Sequence, residues 1–144
     1  MKVDNYLMEQ IESQEGATME ELENLCDSNN QNLVLIYAKP EFNWNQMEQI
    51  RLGLEQGLDV SIYAKPEFGY DQMEQIILGL EDNLDVSIYA KPKFGDDQMD
   101  QIRLGLKQGL DASIYAKPEF DYDQMEQIRL GLAFYHNLVK TINL

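Results

Sequence analysis

A stretch of 26 residues occurs four times in succession, and no other feature constrains the fold of this chain as strongly. The copies start at Tyr37, Tyr63, Tyr89 and Tyr115, each with Tyr-Ala-Lys-Pro, and the first two differ at six of 26 positions. A fixed period between 20 and 50 residues is typical of arrays in which each unit buries its apolar face against its neighbours. The sequence therefore predicts a repeat protein.

Each copy carries the start and stop signals of one long helix. Asn43 stands three residues before Gln46, the spacing of a capping box, and Asp121 and Gln124 repeat it in the fourth copy. Gly57 lies where a helix ends in the left-handed conformation. We therefore predict a long helix in each repeat, running from just after the cap to just before this turn.

The segment after that turn has two interpretations. An aspartate (Asp59 in the first copy) could cap a short helix over Val-Ser-Ile-Tyr-Ala, which gives an all-α, short helical-repeat solenoid of long-helix/short-helix pairs. Valine, isoleucine and tyrosine also favour strands, and residues 33–38 (LVLIYA) are still more strand-like. The alternative fold is therefore a leucine-rich-repeat-like β/α array, whose period also fits.

Three regions follow from this pattern. Residues 1–32 form a predicted acidic helical N-terminal cap, residues 33–132 hold the four tandem repeats, and residues 133–144 extend the last helix as a C-terminal cap.

Two further features of the long helix need a structural reason. A glycine inside it (Gly53, Gly79, Gly105 and Gly131) costs about 1 kcal/mol relative to alanine, and we expect close approach of the neighbouring unit's backbone to compensate. Three of the four long helices also carry an arginine three residues after an acid, a spacing that predicts an ion pair within the helix. The predicted pairs are Glu48–Arg51, Asp100–Arg103 and Glu126–Arg129.

The charge limits the possible partners. With 26 acidic and 11 basic residues the net charge is −15, which disfavours direct binding to nucleic acid or anionic membranes and favours a basic protein partner. The acid could instead serve only solubility. No stretch has the length of a signal peptide core or a membrane span, so we expect a cytoplasmic protein.

We predict that the protein is not an enzyme. Cys26 and His136 are the only cysteine and histidine and lie near opposite ends of the repeat array. No phosphate loop, dinucleotide fingerprint or zinc spacing occurs, so we predict no catalytic residue, cofactor or metal.

The positions that vary most between copies lie at the start of the long helix, where an array presents equivalent residues on one surface. They mix aromatic rings with carboxylates, and aromatic side chains are strong interface anchors, although these rings could instead pack against the adjacent unit. The candidate partner-binding residues are Trp44, Tyr70, Asp71, Asp96, Asp97, Tyr122 and Asp123, with Glu67 and Glu119 in the preceding loops.

The stretch QMEQIRLGLEQGLDVSIYAKPEF (residues 46–68) resembles the tandem Gln-Met-x-x-Ile-Arg-x-Gly-Leu-x-x-Gly-Leu-Asp-Val-Ser-x-Tyr-Ala repeats of proteins from phages and integrative elements of Firmicutes. The resemblance covers about residues 33–132. It implies a mobile-element protein in a bacterial host cytoplasm, a setting in which small acidic proteins often act as anti-CRISPR or antirestriction inhibitors that imitate DNA. The expected function is inhibition of a CRISPR nuclease or restriction enzyme. The alternative is a repeat scaffold or adaptor that binds a protein or peptide through its aromatic row.

Overall fold

The computed structural model describes residues 33–143, and the predicted N-terminal cap of residues 1–32, with Cys26, lies outside them. The chain divides into two compact units between Met73 and Glu74. The described residues are helical and contain no strand, which confirms the all-α class for this part of the chain. The elements are α1 (Trp44–Glu55), η1 (Val60–Ile62), α2 (Tyr70–Glu81), η2 (Val86–Ile88), α3 (Asp96–Lys107), η3 (Ala112–Ile114) and α4 (Tyr122–Ile142), where η denotes a 3₁₀ helix.

The β/α alternative is wrong for the described residues because the backbone groups of Val-Ser-Ile-Tyr-Ala are used locally. The Asp59 carboxylate accepts the Ser61 backbone N–H (3.2 Å), and the N–H groups of Tyr63 and Ala64 both donate to the Val60 carbonyl (3.0 and 2.7 Å). Residues 33–38 also form a helical turn, in which the Ala38 N–H donates to the Val34 carbonyl (2.9 Å). The hydrogen bond from the Ser61 N–H to the Asp59 carboxylate favours the helical turn here, and it outweighs β-propensity, which depends strongly on context.

The predicted helix ends are confirmed. Gly57 and Gly109 have φ of 70° and 74°, and Asn83 takes the same left-handed conformation at φ 56°. After each turn the chain folds back, so that the Leu58 N–H donates to the Gly53 carbonyl (2.9 Å). This pattern satisfies carbonyl groups that a helix end leaves without partners.

The glycines inside the helices face a tyrosine side chain, so the expected close approach of a neighbouring backbone is wrong. The Tyr115 side chain is fully buried, and its hydroxyl donates to the Gln101 carbonyl (2.6 Å) while lying over Gly105, where a Cβ atom would overlap it. Tyr63 covers Gly53, and Tyr89 covers Gly79, in the same way. Each tyrosine follows its glycine by ten residues and is the first residue of the next copy, so the contact joins one repeat to the start of the following one.

Gly131 is the exception. Thr141 rather than a tyrosine stands ten residues after it, and no side chain of residues 33–143 lies within 4 Å of the position that its Cβ would occupy. The fourth helix therefore keeps the glycine without the tyrosine that explains it in the other three.

Burial also changes the acidity of these tyrosines. Removal of the phenol from water disfavours the charged phenolate, which raises the pKa of Tyr115 from 10 to about 12. Burial raises the pKa of Tyr63 and of Tyr89 further still. All three hydroxyls therefore remain donors to their carbonyl partners at neutral pH.

The arginines follow the predicted pairing only once. Arg103 binds Asp100 (2.7 Å), as expected. Arg51 instead binds Glu55 one turn further on (2.5 Å), and the buried Arg129 donates to Gln101 (2.8 Å) and Gln108 (3.1 Å). Spacing alone identified helix neighbours of the arginines, but the acceptors of Arg129 lie 28 and 21 residues earlier, in α3 and just after its end.

A second bond of Arg103 has the same geometry as that of Arg129. Its Nε donates to the Gln75 side chain of α2 (3.0 Å), 28 residues earlier in the chain, which is also the separation between Arg129 and Gln101. In the second unit these bonds link successive long helices. Ile77 stands at the corresponding position of the second repeat and is buried, so it fills space rather than exposing an apolar side chain.

Helix α4 continues past residue 132 to Ile142, as the sequence predicts. Its outer side is not the polar surface typical of a cap, however. Phe134, Tyr135 and Ile142 are 63–72% exposed. The apolar residues that the sequence analysis assigned to a closed end thus lie on the surface of the described structure.

Candidate functional site

The candidate residues are positioned by the capping groups of the long helices. In α1 the Asn43 side chain accepts the Gln46 N–H while the Gln46 side chain accepts the Asn43 N–H, both at 2.9 Å. Asp121 and Gln124 form the same reciprocal pair at the start of α4 (2.8 and 2.9 Å). Both predicted capping boxes are confirmed, and they hold the first turns of α1 and α4 in fixed geometry.

A glycine immediately precedes helices α2 and α3, and a candidate aspartate in the first turn accepts a backbone N–H that the glycine cannot bind. Gln98 still accepts the Gly95 N–H (2.9 Å), but glycine offers no side chain in return, and Asp97 accepts the Gln98 N–H instead (2.8 Å). Asp71 bonds to the Gln72 N–H in the same way (2.9 Å). Asp71 and Asp97 therefore help to cap their helices, a structural role that the sequence analysis did not predict for them.

The capping glutamines also connect successive helix starts, which the sequence analysis missed. The Gln46 amide donates to the carbonyls of Pro66 (3.1 Å) and Phe68 (2.7 Å), immediately before α2. In the second unit the Gln98 amide donates to the carbonyls of Pro118 (3.2 Å) and Phe120 (2.6 Å), immediately before α4. Glutamine at this position in all four copies was the available signal, because a capping box alone accepts glutamate equally well.

These bonds bring the candidate residues of each unit together. We call each group the helix-start surface of its unit. The first consists of Trp44, Glu67, Tyr70 and Asp71, and the second consists of Asp96, Asp97, Glu119, Tyr122 and Asp123.

The aromatic side chains differ in exposure. Trp44 is 73% exposed and Tyr70 48%, so in the first unit the rings lie largely in solvent rather than packed in the core. Tyr122 is half-buried and fits the packing alternative better. The structure therefore presents Trp44 and Tyr70 as available contact residues.

The carboxylates of the second helix-start surface are open to solvent. Asp96, Asp97, Glu119 and Asp123 are all exposed. Among residues 33–143 the ion pairs are Arg51–Glu55, Asp100–Arg103 and Asp82–Lys107, so none of these four acids forms one. Acids in a first turn also complement the partial positive charge of the helix N-terminus.

Lysines moderate this charge. Lys91, Lys93 and Lys117 are exposed in the loops that lead into α3 and α4, and the Lys93 ammonium lies 5.4 Å from the centre of the Phe94 ring. The acids of the second helix-start surface therefore follow exposed lysines in the chain, so both signs of charge occur in this part of the sequence.

Neither a metal centre nor a membrane-spanning helix occurs in the part of the chain that the structure describes. No three histidine, cysteine, aspartate or glutamate side chains within residues 33–143 are grouped to hold a metal ion. None of the helices there combines the length and apolarity needed to cross a bilayer. His136 lies on α4 and is partly buried.

Comparisons with protein families, curated proteins and solved structures found no match to this chain.

Proposed function

We propose that this protein is a non-enzymatic binding protein that docks on a basic nucleic-acid-binding protein, such as a CRISPR nuclease or a restriction enzyme, and blocks its nucleic-acid site. The observation that carries the proposal is the exposed carboxylate cluster of Asp96, Asp97 and Asp123 at the adjoining starts of α3 and α4. The whole chain carries a net charge of −15, which also favours a basic partner.

The chemistry of such a cluster suits a surface that normally binds phosphate. Lysine and arginine side chains that contact DNA bind carboxylates with charge-assisted hydrogen bonds as well. The capping bonds of Asp97 and Asp121 order the backbone around the cluster before a partner arrives. Prior order reduces the entropy lost on binding.

A second function, that of an adaptor for a protein or peptide, is favoured by Trp44. Trp44 is 73% exposed and Tyr70, at the start of the next long helix, is 48% exposed, so both present apolar contact area to solvent. Tryptophan and tyrosine are the commonest anchors of protein interfaces, and tryptophan also binds cations over its ring. The adaptor would depend on Trp44 and Tyr70 and much less on the acids.

The experiment measures binding of purified CRISPR nucleases and restriction enzymes to the immobilised protein at rising salt, with duplex DNA as competitor. The test variant is D96N/D97N/D123N. Asparagine can still accept the Gln98 N–H, so the start of α3 is preserved. The matched control E48Q/E74Q/E81Q removes the same three charges from exposed positions away from the helix starts.

The inhibitor proposal requires capture that DNA displaces, that weakens steeply with salt and that the test variant loses at least about tenfold more than the control does. Equal loss in both variants would mean that only net charge matters and would contradict a site at the helix starts. Binding that resists salt and is lost on Trp44→Ala would establish the adaptor instead.

We also propose that the four repeats stack as a solenoid. Within each unit the support is a repeated set of bonds at constant sequence separation, including those of Gln46 and Gln98 to the carbonyls 20 and 22 residues further on. In a solenoid each repeat contacts only its neighbours, so deletion of residues 63–88 should leave a cooperative helical protein. Loss of cooperative unfolding in that deletion variant, measured by circular dichroism, contradicts the proposal.

A further inference from the structure

The outer side of α4 carries the largest group of exposed apolar side chains in the second unit. It consists of Leu130, Phe134, Tyr135, Leu138, Val139 and Ile142, which are 42–72% exposed. At 3.6 residues per turn these positions cover about half the circumference of the helix. We call this the α4 apolar face.

Five of the six residues of the face belong to the helix extension, and only Leu130 is a repeat position, equivalent to Leu104 of the third copy. Helices α1, α2 and α3 end at Glu55, Glu81 and Lys107, whereas α4 runs on to Ile142. Tyr135 stands where the third repeat has the turn residue Gly109, and the segment from 133 onward departs from the repeat pattern. Repeat duplication therefore does not account for the apolar residues of the face beyond Leu130.

We infer that the α4 apolar face is the interface of a homodimer, in which a second copy of this chain covers it with the same face. Closed two-fold dimers are the commonest oligomers, and they use one self-complementary patch on both subunits.

The exposed area is suited to this occupant. At roughly 150–200 Å² for a fully exposed large side chain, the six residues present about 600 Å² of mainly apolar surface. That value lies at the upper limit of the patches found on monomers and approaches the ~800 Å² that each partner contributes to a stable interface. Phe134 and Tyr135, whose rings meet edge to face at 5.3 Å, supply aromatic anchors at its centre.

The distribution of charge favours a second copy through this face. Two chains of charge −15 repel each other, so a contact between copies is best tolerated where acids are few. Between residues 130 and 142 the only Asp, Glu, Lys or Arg is Lys140, which by helical spacing lies on the opposite side of α4. The acid that borders the face is the exposed Asp111, which lines a cavity with Tyr135 and Val139. Gly131 lies within the face, and no side chain of the described residues lies near its Cβ position, so a second helix can approach closely there.

The test is sedimentation equilibrium of the full chain over a wide range of concentrations. We expect a species of twice the 16.7 kDa chain mass, with a dissociation constant on the order of micromolar. The variant Phe134→Glu places a charge at the centre of the face and should raise that constant at least about thirtyfold. Ile114→Glu is the matched control, because Ile114 is 47% exposed in η3, outside the face, and it should change the constant less than about threefold.

Salt provides an independent readout. Because the face is uncharged and the chains repel, rising salt should strengthen the dimer, opposite to its expected effect on a nuclease complex. Circular dichroism checks that the variants stay helical, and Val139→Glu repeats the test at a second exposed position. A monomer at every concentration overturns the inference, whether the face is then free or covered by residues 1–32. So does equal weakening by Phe134→Glu and Ile114→Glu.

Discussion

Replacement of Gly105 by alanine tests the contact between the glycine and the tyrosine. Alanine is the better helix former by about 1 kcal/mol, so propensity alone predicts a gain in stability. The added Cβ would overlap the Tyr115 hydroxyl and come within 3.0 Å of the ring carbon that bears it. The tyrosine side chain is fully buried, so it cannot move aside into solvent without losing that burial.

The expected net effect is a loss of stability. Overpacking a core costs about 1–3 kcal/mol, and displacement of the hydroxyl from the Gln101 carbonyl leaves a buried polar group without its bond, at about 1–3 kcal/mol more. After subtraction of the gain in propensity, Gly105→Ala should lower the free energy of unfolding by about 1–5 kcal/mol. Urea denaturation followed by circular dichroism measures this quantity.

Gly131→Ala is the matched control in the same unit. In the part of the chain that the structure describes, no side chain lies near that Cβ position, so the variant should gain about 0.5–1 kcal/mol. Tyr115→Phe should cost about 1–2 kcal/mol in the wild type but little in the Gly105→Ala background, where the hydrogen bond is already lost. Equal shifts in Gly105→Ala and Gly131→Ala, or additive effects in the double variant, would refute the proposed contact.

Two further predictions concern the same unit. First, stability should fall at alkaline pH, because the folded-state pKa of Tyr115 is raised: its contribution is complete below pH 10, the ordinary value, and is lost as pH rises towards about 12. Urea denaturation below pH 10 and at pH 11 measures the loss, which Tyr115→Phe should reduce; an unchanged pH dependence in that variant would count against burial as the cause. Second, Gln98→Ala should cost about 1–3 kcal/mol, since it removes the bonds to the Phe120 and Pro118 carbonyls as well as the cap. Gln124→Ala removes a cap from an exposed side chain and should cost at most about 1 kcal/mol, so equal losses would show that the bridging bonds contribute nothing.

The amino-acid sequence was most informative where the controlling interactions are local. The caps at Asn43 and Asp121, the left-handed turns at Gly57 and Gly109 and the short helix capped by Asp59 each depend on residues within a few positions of one another. Such signals are independent of the distant chain, and the repeat shows each of them several times. The strand interpretation failed because it relied on propensity against this local chemistry.

The candidate site was only partly predictable for the same reason. The sequence placed Trp44, Tyr70 and the aspartates at helix starts, but which side chains reach solvent depends on packing. Trp44 and Tyr70 are exposed whereas Tyr122, at the equivalent position, is half-buried. The bridging amides of Gln46 and Gln98 depend on carbonyls 20 and 22 residues away, which no local rule anticipates.

The sequence by itself thus determined the 26-residue period and the limits of the repeat helices, because capping and turn formation are decided over short separations. It favoured the all-helical class but left the β/α array open until the structure showed the local bonds. The tertiary structure alone decided the partners of Gly105 and Arg129 and the exposure of Trp44 and the α4 apolar face. These outcomes depend on which distant segments meet, and the hydrophobic effect that brings segments together is non-directional. Only the folded arrangement assigns each side chain its neighbour.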